Sequence, residues 1–306
     1  MLAFVVAMVE RASAPHSLAD MRPSPRVALA TCSLFPDLDV DDQLLIPALA
    51  ALGIDAEPRV WDEPTTDWGA FDLVVVRNTW DYVGRREEYL TWARAVPRLA
   101  NPAAVLEWST DKRYLDDLRG AGLPIVPTLF LEPGDRFPEL EAEVVVKPTE
   151  SGGSRDTQRH NAKSEKDAVA LVHRIHASGR TAMVQPYLAE VESGRGETAL
   201  IYLSGSFSHA IHKGPLLLPG VVSNELFAQE SIQPREPTGA ERRVGDATVA
   251  WLSQRFGTLT YARIDLLPAF GGHLILEVEL AEPSLFLTHH PQAPARLAAA
   301  VATKLK

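Results

Sequence analysis

The chain has 306 residues, of which 46% are hydrophobic, so it can bury a large core and is long enough for about two domains. Its formal net charge of −10 argues against a general nucleic-acid or acidic-membrane surface, because such partners require concentrated positive charge. The single cysteine, Cys32, excludes an intramolecular disulfide and fits a reducing cytoplasm.

The first twenty residues differ from the rest of the chain. An apolar run at residues 2–9 is too short to span a bilayer and lacks the positively charged start of a secretory signal. Small and polar residues follow it. We therefore expect residues 1–20 to be a disordered tail. We also expect a cytoplasmic protein that has neither a membrane nor a nucleic acid as a partner.

Residues 21–105 alternate between strand and helix patterns. Apolar runs at residues 27–32 and 71–76 predict buried strands, and the leucine spacing at residues 41–52 predicts a helix between them. This alternation is typical of a doubly wound parallel sheet. No GxGxxG motif follows the first strand, so a dinucleotide site is not expected there.

A polar stretch, RNTWDY, follows the second of these strands. Ligands of open parallel sheets bind beyond the carboxyl ends of the strands, so Arg77 could hold a substrate carboxylate through a bidentate pair. The alternative is a surface salt bridge between Arg77 and Asp81 or Glu87. The sequence leaves both interpretations open.

A possible phosphate-binding segment comes next. Asp111 can cap a helix that contains Lys112, and a strand at residues 143–148 carries Lys147 near its end. The loop Ser151-Gly152-Gly153-Ser154 follows, and the backbone N–H groups of such small residues can surround phosphate oxygens. No Walker P-loop motif is present, and an ordinary surface loop is the alternative.

The last third of the chain contains two predicted hairpins. Residues 183–188 predict an extended linker, and a hairpin ending at Lys213 follows it. The second hairpin, at residues 261–287, turns at Gly271-Gly272. Helices are predicted at residues 240–256 and 293–306.

The second hairpin alternates charged and apolar residues. Arg263 and Asp265 share one face of its first strand, and Glu277 and Glu279 share one face of its second. If these faces coincide, three carboxylates converge beside one guanidinium. Such oxygen ligands suit Mg²⁺, whereas the alternative is a sheet face whose charges pair with one another. The spacing alone leaves both open.

The order of these features resembles the ATP-grasp superfamily over about residues 112–287. It consists of a lysine on a helix, a strand ending in Lys-Pro, a Gly-Ser loop, a Gln-x-Tyr linker with glutamates after it, and Arg-x-Asp and Glu-x-Glu strands. The stretches RNTWDY, NPAAVLEWSTDKRYL and EVELAEPSLFL are similar to the group that includes the O-ureido-D-serine cyclo-ligase of D-cycloserine biosynthesis. The resemblance implies two α+β subdomains that clasp ATP behind an N-terminal doubly wound parallel-sheet domain.

The resemblance also implies domain boundaries. Residues 21–105 would form the substrate-side α/β domain. Residues 106–188 would form the central subdomain with a Gly-rich lid, and residues 189–306 the C-terminal subdomain with the magnesium-binding hairpin.

Each motif then has an implied role. Lys112 and Lys147 would contact the ATP phosphates and the adenine edge, and the lid residues Ser151, Gly152, Gly153 and Ser154 would cover the phosphates. The adenine would lie on Gln185, Tyr187 and Leu188, and the ribose on Glu192 with Glu190 as a neighbouring candidate. Lys213 would approach the transferring phosphoryl group, and Arg263 would stabilise the acyl phosphate. Asp265, Glu277 and Glu279 would bind one or two Mg²⁺ ions, although asparagine is common in the family at the position of Glu279.

The implied activity is ATP-dependent ligation. A small amino-acid-derived carboxylate would become an acyl phosphate, which an amine-type nitrogen of the same or of a second molecule would capture. Two other hypotheses stay open: a nucleotide-binding protein without ligase activity, and a two-domain binding protein whose hairpin is structural. A homo-oligomer is also left open.

Overall fold

The computed structural model describes residues 23–153, 155–214 and 231–306, so the predicted tail at residues 1–20 lies outside the described residues. Within these ranges the chain forms twelve strands and seven α-helices. In chain order they are β1 (Arg26–Thr31), α1 (Leu45–Ala50), β2 (Asp55–Val60), β3 (Leu73–Val76), α2 (Arg86–Ala95), α3 (Ala103–Ser109), α4 (Tyr114–Gly120), β4 (Leu129–Leu131), β5 (Val144–Pro148), β6 (Gln158–His160), α5 (Glu165–Ala177), β7 (Ala182–Pro186), β8 (Glu197–Leu203), β9 (Ser206–Lys213), β10 (Ile232–Arg235), α6 (Gly239–Phe256), β11 (Tyr261–Ala269), β12 (Gly272–Glu279) and α7 (Ala293–Lys304).

The N-terminal sheet is parallel, with the strand order β2-β1-β3, and is covered on both faces. Alternate residues of β1 enter different cores. Val27 and Leu29 pack with residues of α1 and α7, whereas Ala28 and Ala30 pack with Val74 and Val96 on the other side. Both faces of β1 are therefore apolar, as the run of hydrophobic residues predicts for a buried parallel strand.

The helix predicted at residues 41–52 is shorter in the structure. A 3₁₀ turn occupies Asp42–Leu44, and α1 begins only at Leu45. Asp42 is fully buried and accepts hydrogen bonds from Arg77 and Asn78, so its side chain binds the neighbouring strand end instead of capping α1. The spacing of apolar residues along the chain cannot predict such a contact between distant positions.

A four-stranded antiparallel sheet with the order β4-β7-β5-β6 follows. One face packs on α5, where Val146 and Val184 meet Leu171 and Ile175. The linker predicted at residues 183–188 lies mostly within β7, because that segment pairs with both β4 and β5. The alternate residues of β5 and β7, which include Lys147, lie on the opposite face.

The third sheet is antiparallel and has the order β10-β9-β8-β11-β12. On β8, Leu200 and Tyr202 pack with the α6 core, whereas Ala199 and Ile201 join the core that contains α7. Helix α7 thus packs against the N-terminal sheet and this third sheet together. The predicted combination of α/β and α+β architecture is confirmed. Among the described residues, none of the helices has the length and apolar character needed to cross a membrane.

Candidate active site

A cavity of about 450 Å³ lies between the four-stranded and five-stranded sheets, and the segment after β3 contributes to its lining. It gathers most of the residues that the sequence singled out. They are Lys112, Lys147, Ser151, Gly152, Gly153, Gln185, Tyr187, Leu188, Lys213, Arg263, Asp265, Glu277 and Glu279. Ser154 lies outside the described residues. The tertiary structure therefore brings together motifs that are separated by up to about 170 positions along the chain.

Two lysines meet one glutamate at the centre of the cavity. Lys147 Nζ donates to Glu277 Oε1 at 2.7 Å, and Lys112 Nζ lies 3.7 Å from Glu277 Oε2. Lys112 Nζ also donates to the carbonyl oxygen and the hydroxyl of Ser151, both at 3.1 Å. Burial disfavours the charged form of Glu277, but the two lysines outweigh this effect and hold its pKa below the ordinary value. Lys112 thus ties the Gly-rich loop to the strand β12.

The register of the second hairpin puts its charged faces side by side. Arg263 lies opposite Glu279, and Asp265 lies opposite Glu277. The Arg263 guanidinium donates to Asp265 at 2.8 and 2.9 Å and to Glu279 at 2.5 Å. A β-bulge follows Asp265, and it shifts the pairing beyond the charged positions. The two charged faces therefore coincide: Arg263 pairs with Asp265 and Glu279, whereas Glu277 pairs with Lys147.

Lys213 extends this network from β9. Its Nζ donates to Asp265 Oδ2 at 2.9 Å and to Glu197 Oε1 at 2.6 Å. Burial opposes ionisation of Asp265, but the charges of Arg263 and Lys213 overcome it, so the pKa of Asp265 lies below its usual value. Burial and the neighbouring Asp265 and Glu277 carboxylates raise the pKa of Glu279, against the opposing effect of Arg263.

The carboxylates of the hairpin are engaged by basic side chains in this structure. Within the described ranges, no three or more His, Cys, Asp or Glu side chains are grouped so that they could hold a metal ion. The donor set of Asp265, Glu277 and Glu279 nevertheless consists of the oxygen ligands that Mg²⁺ prefers, and Mg²⁺ is commonly held by one or two carboxylates plus substrate phosphates. These side chains fit such an ion chemically, provided that some of their present ion pairs are exchanged.

The other end of the cavity is lined by the strand end of β7. Gln185 is buried and donates through Nε2 to Thr128 Oγ1 at 2.9 Å. The Tyr187 ring stacks against the Arg159 guanidinium at 3.5 Å, and its hydroxyl donates to Glu192 Oε1 at 2.8 Å. Glu192 is exposed, and neither it nor Glu190 lines the cavity. The hydrogen bonds from Tyr187 and Arg159 lower the pKa of Glu192.

Arg77 does not lie where a substrate contact requires it. Its side chain is fully buried and outside the cavity lining. Its Nε donates to Asp42 at 2.8 Å, and its Nη2 donates to the Pro283 carbonyl oxygen at 2.7 Å. The alternative prediction of a surface pair with Asp81 or Glu87 is also wrong, because the partner is the buried Asp42. Arg77 joins the N-terminal sheet to the segment after β12.

Several cavity residues carry no motif in the sequence. Trp80 and Tyr82 reach the cavity from the segment after β3, and Glu282, Ser284 and Phe286 reach it from the segment after β12. Phe286 has φ +52°, in the left-handed region, and its ring lies 5.6 Å from the Arg263 guanidinium. These residues lie in irregular segments, where neither periodicity nor a turn motif indicates the direction of a side chain. The aromatic residues on either side of Asp81, Trp80 and Tyr82, were the available signal in the sequence.

Comparison with known proteins agrees with this architecture. Residues 27–101 match the family model described as the N-terminal domain of D-cycloserine synthetase DcsG. The chain is 36% identical over 299 residues to the cycloserine biosynthesis protein DcsG of Streptomyces lavendulae, covering 92% of this chain and 99% of that protein. The crystal structure of D-cycloserine synthetase DcsG matches with a TM-score of 0.85 and 34% identity, covering 92% of this chain and 100% of the other.

A more distant structure shares the fold. The ATP-grasp ligase PsnB, complexed with a phosphomimetic precursor variant, Mg and ADP, matches with a TM-score of 0.61 and 16% identity, covering 93% of this chain and 99% of the other. The chain belongs to the ATP-grasp ligases, in the family of the cycloserine biosynthesis protein DcsG.

Proposed function

We propose that this ATP-dependent ligase phosphorylates the carboxylate of a small amino-acid-derived substrate and then closes a ring through a nitrogen of the same molecule, as in the conversion of O-ureido-D-serine to D-cycloserine. The cavity is the observation that carries the proposal, because it combines two lysines that suit phosphate oxygens with a hairpin of paired acidic and basic groups. The similarity to a cycloserine biosynthesis protein over 99% of that protein's length favours this substrate class.

The nucleotide would bind between the two antiparallel sheets. Lys112 and Lys147 share Glu277 in the structure, so each can turn toward a phosphate oxygen while remaining close to a carboxylate. Gln185, Tyr187 and Leu188 would contact the adenine, and Glu192 with Glu190 would contact the ribose. Glu192 already accepts a hydrogen bond from Tyr187, so this bond connects the proposed adenine contact to the proposed ribose contact.

Arg263 and Lys213 would act on the reacting groups. A carboxylate is a poor electrophile, and phosphorylation gives it a good leaving group. The transferring phosphoryl group is anionic, so positioning and positive charge dominate its stabilisation. Bound Mg²⁺, one or two ions held by Asp265, Glu277 and Glu279, would neutralise phosphate charge. The chain's own contribution is that Arg263 and Lys213, both buried, are aimed at the same carboxylate.

The Gly-rich loop would exclude water from the acyl phosphate. Its position suits that task, because a Cβ on Gly152 would lie 3.3 Å from Val83, which belongs to the segment after β3. The loop thus reaches across to the N-terminal sheet, and residues 21–105 would form the substrate side of the site. Residues 106–188 and 189–306 would form the two halves that enclose the nucleotide.

The test is magnesium-dependent ADP release with a panel of amino acids and hydroxamates that includes O-ureido-D-serine. Stimulation by one member supports ligase activity, and mass spectrometry of the product decides between a ring and an intermolecular adduct. A ring from a single substrate supports the proposal. An adduct that requires a second acceptor supports a carboxylate–amine ligase instead. ATP binding without any stimulated ADP release would support a non-catalytic nucleotide-binding protein.

A further inference from the structure

Glu282 occupies a fixed place in the wall of the cavity. Its backbone carbonyl accepts a hydrogen bond from Trp80 Nε1 at 3.0 Å, and the next residue, Pro283, accepts one from the buried Arg77. The segment after β12 is therefore held from the N-terminal sheet at two successive carbonyls. A side chain on such a segment has a defined direction, and that of Glu282 lines the cavity.

The carboxyl of Glu282 forms no ion pair with the basic side chains of the described residues, although the charge of Lys112 acts on it and lowers its pKa against the effect of burial. Every ion pair formed within that part of the chain involves other acidic groups. The Tyr82 hydroxyl acts on this carboxyl and partly offsets the effect of burial on its pKa. Burial, reinforced by the nearby Glu279 carboxylate, raises the pKa of Glu282 to about 7. A cation beside this carboxyl would stabilise its ionised form.

Carboxylates outnumber basic side chains by one among the described residues of the cavity wall. The basic side chains are Lys112, Lys147, Lys213 and Arg263, and the carboxylates are Glu197, Asp265, Glu277, Glu279 and Glu282. All four cations contact carboxylates other than Glu282. A bound polyphosphate would draw these cations further toward itself. The proposed Mg²⁺ would be held by Asp265, Glu277 and Glu279, so Glu282 is the carboxylate that remains for a cation of the substrate.

The surroundings of Glu282 favour an organic ammonium over a metal ion. A hard metal ion requires several oxygen ligands, whereas Glu282 is flanked by the aromatic side chains of Trp80 and Tyr82, both of which line the cavity. A carboxylate combined with aromatic rings is a common environment for an alkylammonium group. The position also lies three residues from Glu279, next to the proposed reaction centre.

We propose that Glu282 binds the α-ammonium group of the amino-acid-derived substrate and thereby sets which end of that substrate points at the phosphoryl-transfer groups. The assignment rests on the proposed function for its substrate class. It makes Glu282 a specificity determinant of the cavity. The substrate would need a free amino group close to the carboxylate that is activated.

The experiment compares two ligands by calorimetry, using the full chain with Mg²⁺ and a non-hydrolysable ATP analogue. One ligand is O-ureido-D-serine, and the other is the same compound with hydrogen in place of the amino group. For the wild-type protein we expect the amino compound to bind about 10- to 100-fold more tightly, since a charged hydrogen bond contributes roughly 1.5–3 kcal/mol. Glu282→Gln should remove that difference while leaving the affinity for the ATP analogue unchanged.

Matched variants complete the test. Glu88→Gln alters an exposed glutamate on α2 and should leave both affinities at the wild-type value. Glu282→Asp should restore part of the discrimination, because it keeps the charge on a shorter side chain. Equal binding of the two ligands by the wild-type protein, or failure of both to bind, would overturn the proposal, as would discrimination that survives in Glu282→Gln. ADP release is measured separately, so loss of ligase activity and loss of ammonium recognition are distinguishable.

Discussion

Replacing Arg263 by alanine should destabilise the fold as well as depress turnover. In the structure its guanidinium donates to Asp265, to Glu279 and to the Ser284 carbonyl oxygen at 3.1 Å. In the variant, Asp265 would still have a cationic partner, because Lys213 Nζ lies 2.9 Å from its Oδ2. Glu279 forms no other ion pair within the described residues. The substitution therefore leaves a carboxylate without its cation and a carbonyl without its donor.

The expected cost follows from burial. The side chains of Arg263 and Asp265 are 8% and 3% exposed, whereas that of Glu279 is 31% exposed. Removing one partner of a buried ion pair costs about 3–5 kcal/mol. Glu279 can partly relax into solvent or take up a proton, because its pKa is already raised by burial and by neighbouring carboxylates. We therefore expect a loss near the lower end of this range, about 3 kcal/mol.

A double-mutant cycle separates this structural effect from chemistry. Urea unfolding is followed by tryptophan fluorescence for the wild type, Arg263→Ala, Glu279→Gln and the double variant at neutral pH. Because the glutamine no longer carries a charge that needs the guanidinium, the double variant should lose less than the sum of the single losses, by about 1–3 kcal/mol. The kcat for ADP release is then measured below the unfolding transition, where Arg263→Ala should remain strongly impaired with little change in ATP affinity.

Additive losses in the cycle would show that Arg263 and Glu279 are not energetically coupled, which would refute the interpretation of their 2.5 Å contact. An Arg263→Ala protein with a normal kcat would refute the proposed role in phosphoryl transfer. A change confined to ATP affinity would assign Arg263 to ground-state nucleotide binding.

Three other substitutions test separate parts of the structure. Lys147→Ala should weaken ATP binding about 10- to 100-fold in an equilibrium titration, since it removes a charge-assisted phosphate contact; unchanged affinity would contradict the assignment. His209 is buried, and desolvation lowers its pKa to about 4, so it stays neutral in the folded state while the unfolded state gains a proton below about pH 6.5. Its contribution to the free energy of unfolding is thus complete above pH 6.5 and is lost as the pH falls toward 4. In unfolding titrations, His209→Gln should reduce the acid-induced loss of unfolding free energy by up to roughly 3 kcal/mol. Parallel pH profiles of the two proteins would contradict this. Gly245→Ala should destabilise the protein by about 1–3 kcal/mol in thermal or urea unfolding, because a Cβ there would clash with the Tyr202 hydroxyl and with Leu200. This clash should outweigh the higher helix propensity of alanine. A stabilised variant would show that α6 can shift.

Much of the candidate site was predictable because strands alternate their side chains. The two-residue period of a strand predicts that Arg263 and Asp265 share a face of one strand. It predicts likewise that Glu277 and Glu279 share a face of the next strand. The observed register, with Asp265 opposite Glu277, joined the two faces. This two-residue alternation could not show whether the charged side chains bind a metal ion or pair with one another. In the structure, lysines from two other sheet elements and the neighbouring arginine satisfy the carboxylates.

Irregular segments set the limit of prediction. Residues 80–82 and 282–286 have no repeating pattern, so nothing local fixes the directions of their side chains. Trp80, Tyr82 and Glu282 reach the cavity because hydrogen bonds between the segments after β3 and β12 hold them there. These contacts join positions about 200 residues apart.

The sequence by itself determined the alternation of elements, the apolar faces that form the three sheets, and the set of charged residues available to a ligase site. Local spacing and burial preference suffice for these features. Only the tertiary structure decided that Arg77 is a buried link to Asp42 and Pro283, and that Glu282 faces the cavity and forms no ion pair within the described residues. The reason is physical: the partner of a charged side chain is chosen by distance in space and by the cost of desolvation, and neither is encoded in the spacing of neighbours.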